Sequence, residues 1–568
     1  MTDTACGATE RQHTLWWWLP LYLAVASIVI FLRPPIAIES TRQLAVAWDM
    51  WAHQQFWVPH MNGIPYAEKA PLLYWLIVAG WAVFGVNDVW PRVLMVLIGS
   101  AQLILVQALA RRLFPACARI ARLTPWLLMG LTFSFLYGLL IMFEGLLAVW
   151  VLAAMLCLVS NPRRLSLRWT GFTICIGLGL LTKGPVMLVH TAPVWLLGPW
   201  WCKYAREHRV HWYGFGTLAL ISGCAILAAW AIPAVHASGS AYTDNLLYKQ
   251  TGGRLVNAFI HQHPFWWYVP WAAGLLFPFV LWPRMWAAIV SLRPPLQPQV
   301  RMALAWLVPA FVVFSAISGK QSYYLIPELP AAVIVMAAAI ANLRAREDRA
   351  PRIPWQGTWL LALTLFGVAV FLFALPVAAG AGQLHDHWLR DLAPCSAPFA
   401  VLYGLLGVFV LLPRYDELRC IATASLIGSA GAYALFAFAL FPAFDMRAAS
   451  QLLGKAAAEG RAVGNLEVYN GQFEFMSRMM TPIDQLYEGP FLQDWAARHP
   501  RGLVIAYPGR LTSKDLRYAR LVQPYRGVWM VIWDAPTLAM LRRGQQPPVP
   551  TATILLPAAD YWRYANVR

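Results

Sequence analysis

A few ionisable residues interrupt long apolar runs in this chain, and their types and spacing carry most of its chemical information. Glu39 follows an Arg33-Pro-Pro step, and Glu68 and Lys69 stand side by side in Asn62-Gly-Ile-Pro-Tyr-Ala-Glu-Lys-Ala-Pro71. Glu144 opens an apolar run, and Lys183 lies in Leu-Thr-Lys-Gly-Pro185. Arg254, His261 and His263 precede Pro264-Phe-Trp-Trp-Tyr268, and Lys320 and Tyr324 belong to Ser318-Gly-Lys-Gln-Ser-Tyr-Tyr-Leu-Ile-Pro327. Ionisable groups at the ends of membrane helices are costly to bury, so they pair with one another or mark a substrate path. Singly, each has an ordinary structural explanation. A lysine just past a helix snorkels to the interface, and the Phe265–Tyr268 aromatics suit an interfacial belt. Jointly, such explanations do not say why acids and bases should gather at one surface.

The elements that must position these residues follow from composition. Of 568 residues only 12% are charged and 59% are hydrophobic, with 30 Trp. A set of soluble domains would carry about twice that charge, and disordered chains are poor in aromatics. The class that remains is an α-helical polytopic membrane protein. Apolar stretches begin near Leu15, Pro91, Leu123, Glu144, Trp169, Pro185, Trp212, Phe265, Met302, Ser322, Trp359, Ala397 and Ile421, which predicts about thirteen membrane helices. The first, Leu15–Leu32, is too long for the apolar core of a cleaved signal and lacks a small-residue cleavage site.

The formal charge of +18 does not indicate a nucleic-acid partner, because the cations are not gathered into one patch or arm. They alternate between loops instead. Arg111, Arg112, Arg119 and Arg122 follow the second stretch, Arg163, Arg164 and Arg168 the fourth, and Lys203, Arg206 and Arg209 the sixth. Arg284, Arg293 and Arg301 follow the eighth, Arg344, Arg346, Arg349 and Arg352 the tenth, and Arg414 and Arg419 the twelfth. The positive-inside rule then puts these loops and the N-terminus in the cytoplasm. The odd-numbered loops, with every polar outlier above, fall on the outer side.

Two regions depart from the spanning pattern. Residues 33–91 form a long first outer loop rich in Trp, His and Pro, with an amphipathic stretch, Gln43–Gln54, expected along the membrane surface. The Asn62-Gly turn would hold Glu68 and Lys69 in a rigid part of this loop. Residues 442–568 have ordinary soluble composition, and the membrane portion is residues 1–441. Apolar runs at Leu466–Tyr469, Gly502–Tyr507 and Val528–Trp533 alternate with helix-like Met446–Glu459 and Gln493–Arg498, which predicts a small C-terminal periplasmic α/β domain. The eight cysteines show no zinc-ligand spacing and are read as buried thiols.

Several motifs resemble a known family. Glu39-Ser-Thr-Arg42, Phe56-Trp-Val-Pro59, Asn62-Gly-Ile-Pro-Tyr66, Glu68-Lys-Ala-Pro71 and Leu73-Tyr-Trp75 resemble the first outer loop of bacterial polyprenyl-phosphate-dependent glycosyltransferases. The closest group is the GT-C-type aminoarabinose (lipid A) transferases, which are related to the protein O-mannosyltransferases. Leu181-Thr-Lys-Gly-Pro185, His261-x-x-Pro-Phe-Trp-Trp-Tyr268 and Lys320-Gln-Ser-Tyr-Tyr-Leu-Ile-Pro327 are similar to later motifs of that family, in the same order. The family's loop opens with an acidic pair before Thr-Arg-Tyr. Here Glu39 stands at the first acid, Ser40 replaces the second, Gln43 replaces the Tyr, and Glu144 stands where an Asp is usual.

The resemblance implies transfer of a sugar, with 4-amino-4-deoxy-L-arabinose the leading candidate, from undecaprenyl phosphate to lipid A or another envelope acceptor. The setting would be the periplasmic face of the bacterial inner membrane. It implies Glu39 and Lys69 as catalytic residues and Lys183, Arg254, Lys320 and Tyr324 as partners of the leaving phosphate. Fixed cations aimed at that phosphate would stabilise the charge that develops on it. Glu68 and His261 would hold one divalent metal ion, with Arg42, Glu144 and His263 in support. Competing expectations are a protein or glycan O-glycosyltransferase, a secondary transporter of lipid-linked or small solutes, and a non-enzymatic membrane scaffold. The absence of an internal repeat and the placement of charge at one surface count against a transporter.

Overall fold

A computed structural model describes residues 17–160, 165–238, 262–347, 357–384, 386–412, 416–549 and 554–555. A helix or a pair of helices occupies each of the thirteen apolar stretches. Among the described residues, seven helices are long and apolar enough to cross a membrane, or eight if the bent pair Ala118–Gly130 and Thr132–Gly138 is one span. The other apolar helices are shorter. Phe143–Val159 starts one residue before Glu144, and Leu165–Lys183 ends on Lys183. Several helices therefore stop where the polar residues begin.

Contacts sort the connections into two groups. Arg344 pairs with Asp416 at 2.6 Å and Arg284 with Glu417 at 3.4 Å. Arg301 donates to the Trp200 carbonyl at 3.0 Å, and Asn342 to that of Ser291 at 3.1 Å. These contacts join the basic, even-numbered connections to one another. Among the described residues, the third, fifth and ninth connections meet at the other end of the helices, through Glu144, Lys183 and Tyr324.

The first loop is more ordered and more buried than an interfacial segment. Its helix, Thr41–His53, buries Leu44, Ala45, Val46, Ala47 and Met50 completely. Its amphipathic pattern is met by protein on both sides, not by a membrane surface. One neighbour is the apolar helix Leu72–Phe84, a 13-residue helix within the expected 33–91 loop. The other is the C-terminal domain, to which Trp48 Nε1 donates at the Met479 carbonyl (2.8 Å). Between the two helices, β1 (His60–Met61) and β2 (Ile64–Pro65) form a hairpin with Asn62 and Gly63 at φ +57 and +73. Both central residues at positive φ make the turn that matches strand twist, and Asn-Gly is the sequence that favours it.

The C-terminal sheet contains β3 (Val463–Asn465), β4 (Asp484–Gln485), β5 (Leu503–Ala506), β6 (Leu521–Tyr525), β7 (Val528–Asp534) and β8 (Ile554–Leu555). The strand order is β4-β3-β5-β7-β6-β8, with β5–β7 and β6–β7 antiparallel and the other pairs parallel. The expected runs at 502–507 and 528–533 are strands, whereas Leu466–Tyr469 falls just beyond one. Leu503 and Ile505 face one apolar cluster with Leu453 and Phe473, and Val504 faces another with Leu492 and Trp495. Helices thus cover both faces, which is why these strands read as continuous apolar runs. Of the described cysteines, Cys175 and Cys420 are buried and Cys224 is exposed, so the expected burial holds for only some of them.

The domain docks on the hairpin through paired polar contacts. Asn62 donates Nδ2 to the Ile483 carbonyl at 2.8 Å and accepts from the Ile483 N–H at 2.7 Å. Gly471, at φ +71, sits so close to the loop that a Cβ there would lie 3.0 Å from Ala45 Cβ. Gly471→Ala should therefore lower the melting temperature more than Gly489→Ala, whose φ of +86 faces open space. Thermal unfolding followed by Trp fluorescence checks this, and equal losses would contradict the docking contact.

Glu474 accepts from the Asn62 N–H at 3.3 Å. Burial, with the Asp49 charge adding to it, pushes its carboxyl from the usual 4.5 up to about 7. A carboxyl raised on folding contributes stability that is complete below its unfolded value and lost as pH rises through its folded value. The wild type should thus lose roughly 3 kcal/mol relative to Glu474→Gln between pH values of about 4.5 and 7. Parallel pH profiles of unfolding for the two proteins would refute it.

Candidate active site

Three remote segments meet at Lys183. Its ammonium lies 2.7 Å from Glu144 Oε1 and 4.5 Å from the centre of the Tyr324 ring. The two charged side chains are only 11% and 5% exposed. Glu144 is in the first turn of its helix and Lys183 in the last turn of its own, where the helix dipoles favour a negative and a positive charge respectively. Gly184, at φ +63, then ends the second helix, its N–H bonded to the Leu180 carbonyl at 2.7 Å.

The segment that supplies Tyr324 is a 3₁₀ helix, Ser322–Glu328. At three residues per turn, adjacent side chains diverge by about a third of a turn. Tyr324 therefore turns to Lys183 and Phe314, while Tyr323 turns to Tyr137, with ring centres 6.0 Å apart. The Tyr323 hydroxyl lies within electrostatic reach of Glu144, Glu39, Tyr324 and Tyr137. A fully buried pair, His190 Nδ1 with Glu328 Oε1, anchors the far end of the 3₁₀ helix.

Glu39 is exposed on a tight turn between the first membrane helix and the Thr41–His53 helix. The turn is held by the Ser40 N–H on the Ile36 carbonyl at 3.1 Å and the Ile38 N–H on Thr41 Oγ1 at 3.0 Å. Ile38 sits at φ +68, a conformation that β-branched residues avoid. Such strain persists only where the surroundings over-determine it, and it clusters at functional sites.

Glu68 is exposed and Lys69 half-buried, while Ala67 and Ala70 on either side pack in one cluster with Leu181 and Trp230. That packing brings the Glu-Lys pair alongside the end of the helix that carries Lys183. Tyr66 donates its hydroxyl to Glu68 Oε2 at 3.2 Å. Burial first, then the Glu68 charge, raises the Tyr66 phenol far above its usual range, so it remains a donor. Arg42 donates to Asn470 Oδ1 at 3.3 Å, and so ties the helix after Glu39 to the C-terminal domain.

Lys320 does not stand open to a phosphate as expected. It is 2% exposed, and its ammonium donates to the His263 carbonyl at 2.9 Å and to that of Ile317. It pins the His263 segment to the turn before the 3₁₀ helix, where Gln262 also bridges Gly319. Lys320 is thus a positioning residue. His263 stacks on Trp267 at 4.5 Å, in keeping with a structural role. Arg254 and His261 lie outside the described residues. Of the expected metal pair, only Glu68 is described, and no group of three or more His, Cys, Asp or Glu among the described residues could hold an ion.

Sequence reasoning missed Tyr323, Tyr137, Tyr66 and the His190–Glu328 pair. Tyr323 carried a usable signal, since it adjoins Tyr324 in the same motif. The others are single residues within apolar or aromatic surroundings.

The class to which this arrangement belongs emerges from comparison. Residues 68–228, from the Glu68-Lys69 pair past Lys183, match the family model described as dolichyl-phosphate-mannose-protein mannosyltransferase. The fold is similar to ArnT from Cupriavidus metallidurans, solved bound to undecaprenyl phosphate (TM-score 0.70, 19% identity, 91% of this chain and 98% of that one). The same protein in the apo state gives a TM-score of 0.68 over 94% of this chain and 99% of that one, also at 19% identity. With the relatives named next, this makes the chain a multi-pass membrane glycosyltransferase of the GT-C type.

Its closer affiliation follows from relatives matched over about two thirds of the chain. It is 30% identical over 412 residues to the undecaprenyl phosphate-alpha-4-amino-4-deoxy-L-arabinose arabinosyl transferase of Pseudomonas paraeruginosa, covering 65% of this chain and 70% of that protein. The enzyme of the same name from Aeromonas salmonicida is 28% identical over 411 residues, or 70% of this chain and 72% of that one. The chain belongs to the family of these arabinosyl transferases. The transporter and scaffold expectations fall with that membership.

Removing one partner of a buried ion pair strands the other charge. Glu144→Leu or Lys183→Met alone should each cost about 3 kcal/mol or more, whereas the double substitution recovers most of the loss. Transfer activity should stay absent in all three. Recovery of activity in the double variant, read in the same preparations used for thermal unfolding, would reduce the pair to a structural role.

Proposed function

We infer that this chain transfers 4-amino-4-deoxy-L-arabinose from undecaprenyl phosphate to lipid A at the periplasmic face of the bacterial inner membrane. Residues 1–441 form the membrane-embedded transferase and residues 442–568 a periplasmic domain, with the N-terminus cytoplasmic. The observation that supports this reading is the meeting of Glu144, Lys183 and Tyr324 from three remote segments, with the ammonium 2.7 Å from the carboxylate and 4.5 Å from the ring centre. The sugar and the lipid carrier are those for which the arabinosyl transferase relatives are named.

In the reaction, the bond between the anomeric carbon and the carrier phosphate breaks, and the phosphate departs with the electron pair. A new bond forms from an acceptor oxygen to the same carbon. Lys183, held in place by Glu144, still has ammonium donors to offer the departing phosphate. Lys69 and Arg254 would supply further positive charge, and Tyr324 a hydroxyl. Because these groups are fixed beforehand, little reorganisation accompanies the charge shift. Glu39, on its strained turn, faces the developing positive charge on the sugar. With a phosphate acceptor, already ionised at neutral pH, it stabilises that charge. With a hydroxyl acceptor it also takes the proton. The second reading, transfer to a protein hydroxyl, is favoured by the name of the family model that matches residues 68–228.

Glu39→Gln and Lys69→Ala should each slow single-turnover transfer from a labelled undecaprenyl-phosphate sugar by at least about 100-fold. Membrane insertion should be unchanged in both. Wild-type rates in the two variants would remove the proposed site. Mass spectrometry of lipid A from cells with and without the gene decides the acceptor, and an unmodified difference spectrum would favour the protein reading.

A further inference from the structure

A second group of cations gathers away from the site described above. A half-open cavity of about 930 Å³ lies where the first membrane helix ends and the last gives way to the C-terminal domain. Glu39, Glu144 and Lys183 are not among its walls, which carry Arg33, Arg92, Arg447 and Arg478 against two carboxylates, Asp88 and Asp445. Phe31, Phe441 and Phe475 supply an apolar side.

The two acids are already engaged. Asp88 accepts from Arg92 at 2.7 Å, and Asp445 accepts from Arg447 through Nε at 3.0 Å and Nη2 at 2.6 Å. Among the described residues, neither Arg33 nor Arg478 pairs with a carboxylate. Arg33 is only 7% exposed; it donates to the Pro34 carbonyl at 3.1 Å and to the Tyr433 hydroxyl, and its Nε has no partner. Its guanidinium lies 4.5 Å from the Tyr433 ring centre. Arg478 lies 3.9 Å from the centre of Phe475 and 5.3 Å from that of Trp48. Arg33, buried without a carboxylate partner, is costly to keep charged, whereas Arg478 is exposed and donates to the Phe475 carbonyl. Planar guanidinium groups stacked on aromatic rings are pre-organised for forked contact with phosphate. Arg33 also walls a small void with Ser40, the neighbour of Glu39. The cavity thus lies just across the first loop from the proposed catalytic carboxylate.

We propose that this cavity seats the phosphorylated headgroup of the acceptor lipid, with Arg33 and Arg478 taking a phosphate and the phenylalanines covering its apolar shoulder. The identity of the lipid as acceptor rests on the function proposed above; its phosphate-dependent binding does not. The test is native mass spectrometry of the full-length protein in detergent, titrated with lipid A, with its dephosphorylated form and, separately, with undecaprenyl phosphate. Wild type should bind lipid A at least about tenfold more tightly than the dephosphorylated form. Arg33→Gln and Arg478→Gln should each remove that preference, whereas Arg33→Lys, which keeps the charge, retains most of it. Undecaprenyl phosphate should bind all variants alike. Arg478→Gln stands in should Arg33→Gln fail to fold. Equal affinity for the two forms of lipid A, or an unchanged preference in both Gln variants, would overturn the site. Displacement of lipid A by equimolar phosphatidylglycerol would reduce the cavity to a general anionic-lipid contact. Displacement by equimolar inorganic phosphate would reduce it to a free-anion site. Phosphate-dependent binding without any aminoarabinose transfer would sink the proposed function and leave the cavity standing.

Discussion

The ion pair between Glu144 and Lys183 is the constraint around which the rest of the site is arranged. Two opposite charges 2.7 Å apart and almost excluded from water are tolerable only when each is held from several sides. Here the start of one helix and the end of another supply matching dipoles, and the Tyr324 face covers the ammonium. Tyr324 belongs to a 3₁₀ segment, and its neighbour Tyr323 turns instead to the Tyr137 ring.

The first loop satisfies a second requirement, which is to hold exposed charges still at the edge of a membrane. Glu39 and Glu68 have little burial of their own, so their positions depend on neighbours. Glu39 is fixed by a hydrogen-bonded turn containing a strained Ile38, and the Glu68-Lys69 pair by flanking alanines packed near Leu181 and Trp230. The C-terminal domain completes this arrangement from above. Its Asn470, Gly471, Glu474, Met479 and Ile483 all touch the loop, so the domain acts as a brace for it, whatever else it binds.

The cations on this side of the molecule divide by how they are neutralised. Lys183 has a carboxylate, and Lys320 has backbone carbonyls. Arg92 and Arg447 have Asp88 and Asp445, while Arg33 and Arg478 have aromatic faces. Aromatic rings steady a guanidinium without cancelling its charge. Unlike Arg92 and Arg447, those two arginines have no carboxylate within ion-pair distance among the described residues, at the junction of membrane helices and domain.

Much of this architecture was legible in the residues. Long apolar runs can only become helices in a lipid environment, because every backbone group must find its partner within the segment. The alternation of basic loops then set which connections share an end, and the contacts among Arg284, Arg344, Asp416 and Glu417 agree. The Asn62-Gly63 turn and the apolar runs of β5 and β7 were likewise readable from local pattern. Local pattern does not record what a residue faces across the fold. Lys320 and Lys183 look alike in sequence, yet one is sealed against carbonyls and the other against a carboxylate. The helix at 41–53 has the amphipathicity of a surface segment but is enclosed on both sides by protein. The gathering of Arg33 and Arg478, more than 400 residues apart, around one cavity arose only when the C-terminal domain closed over the first loop.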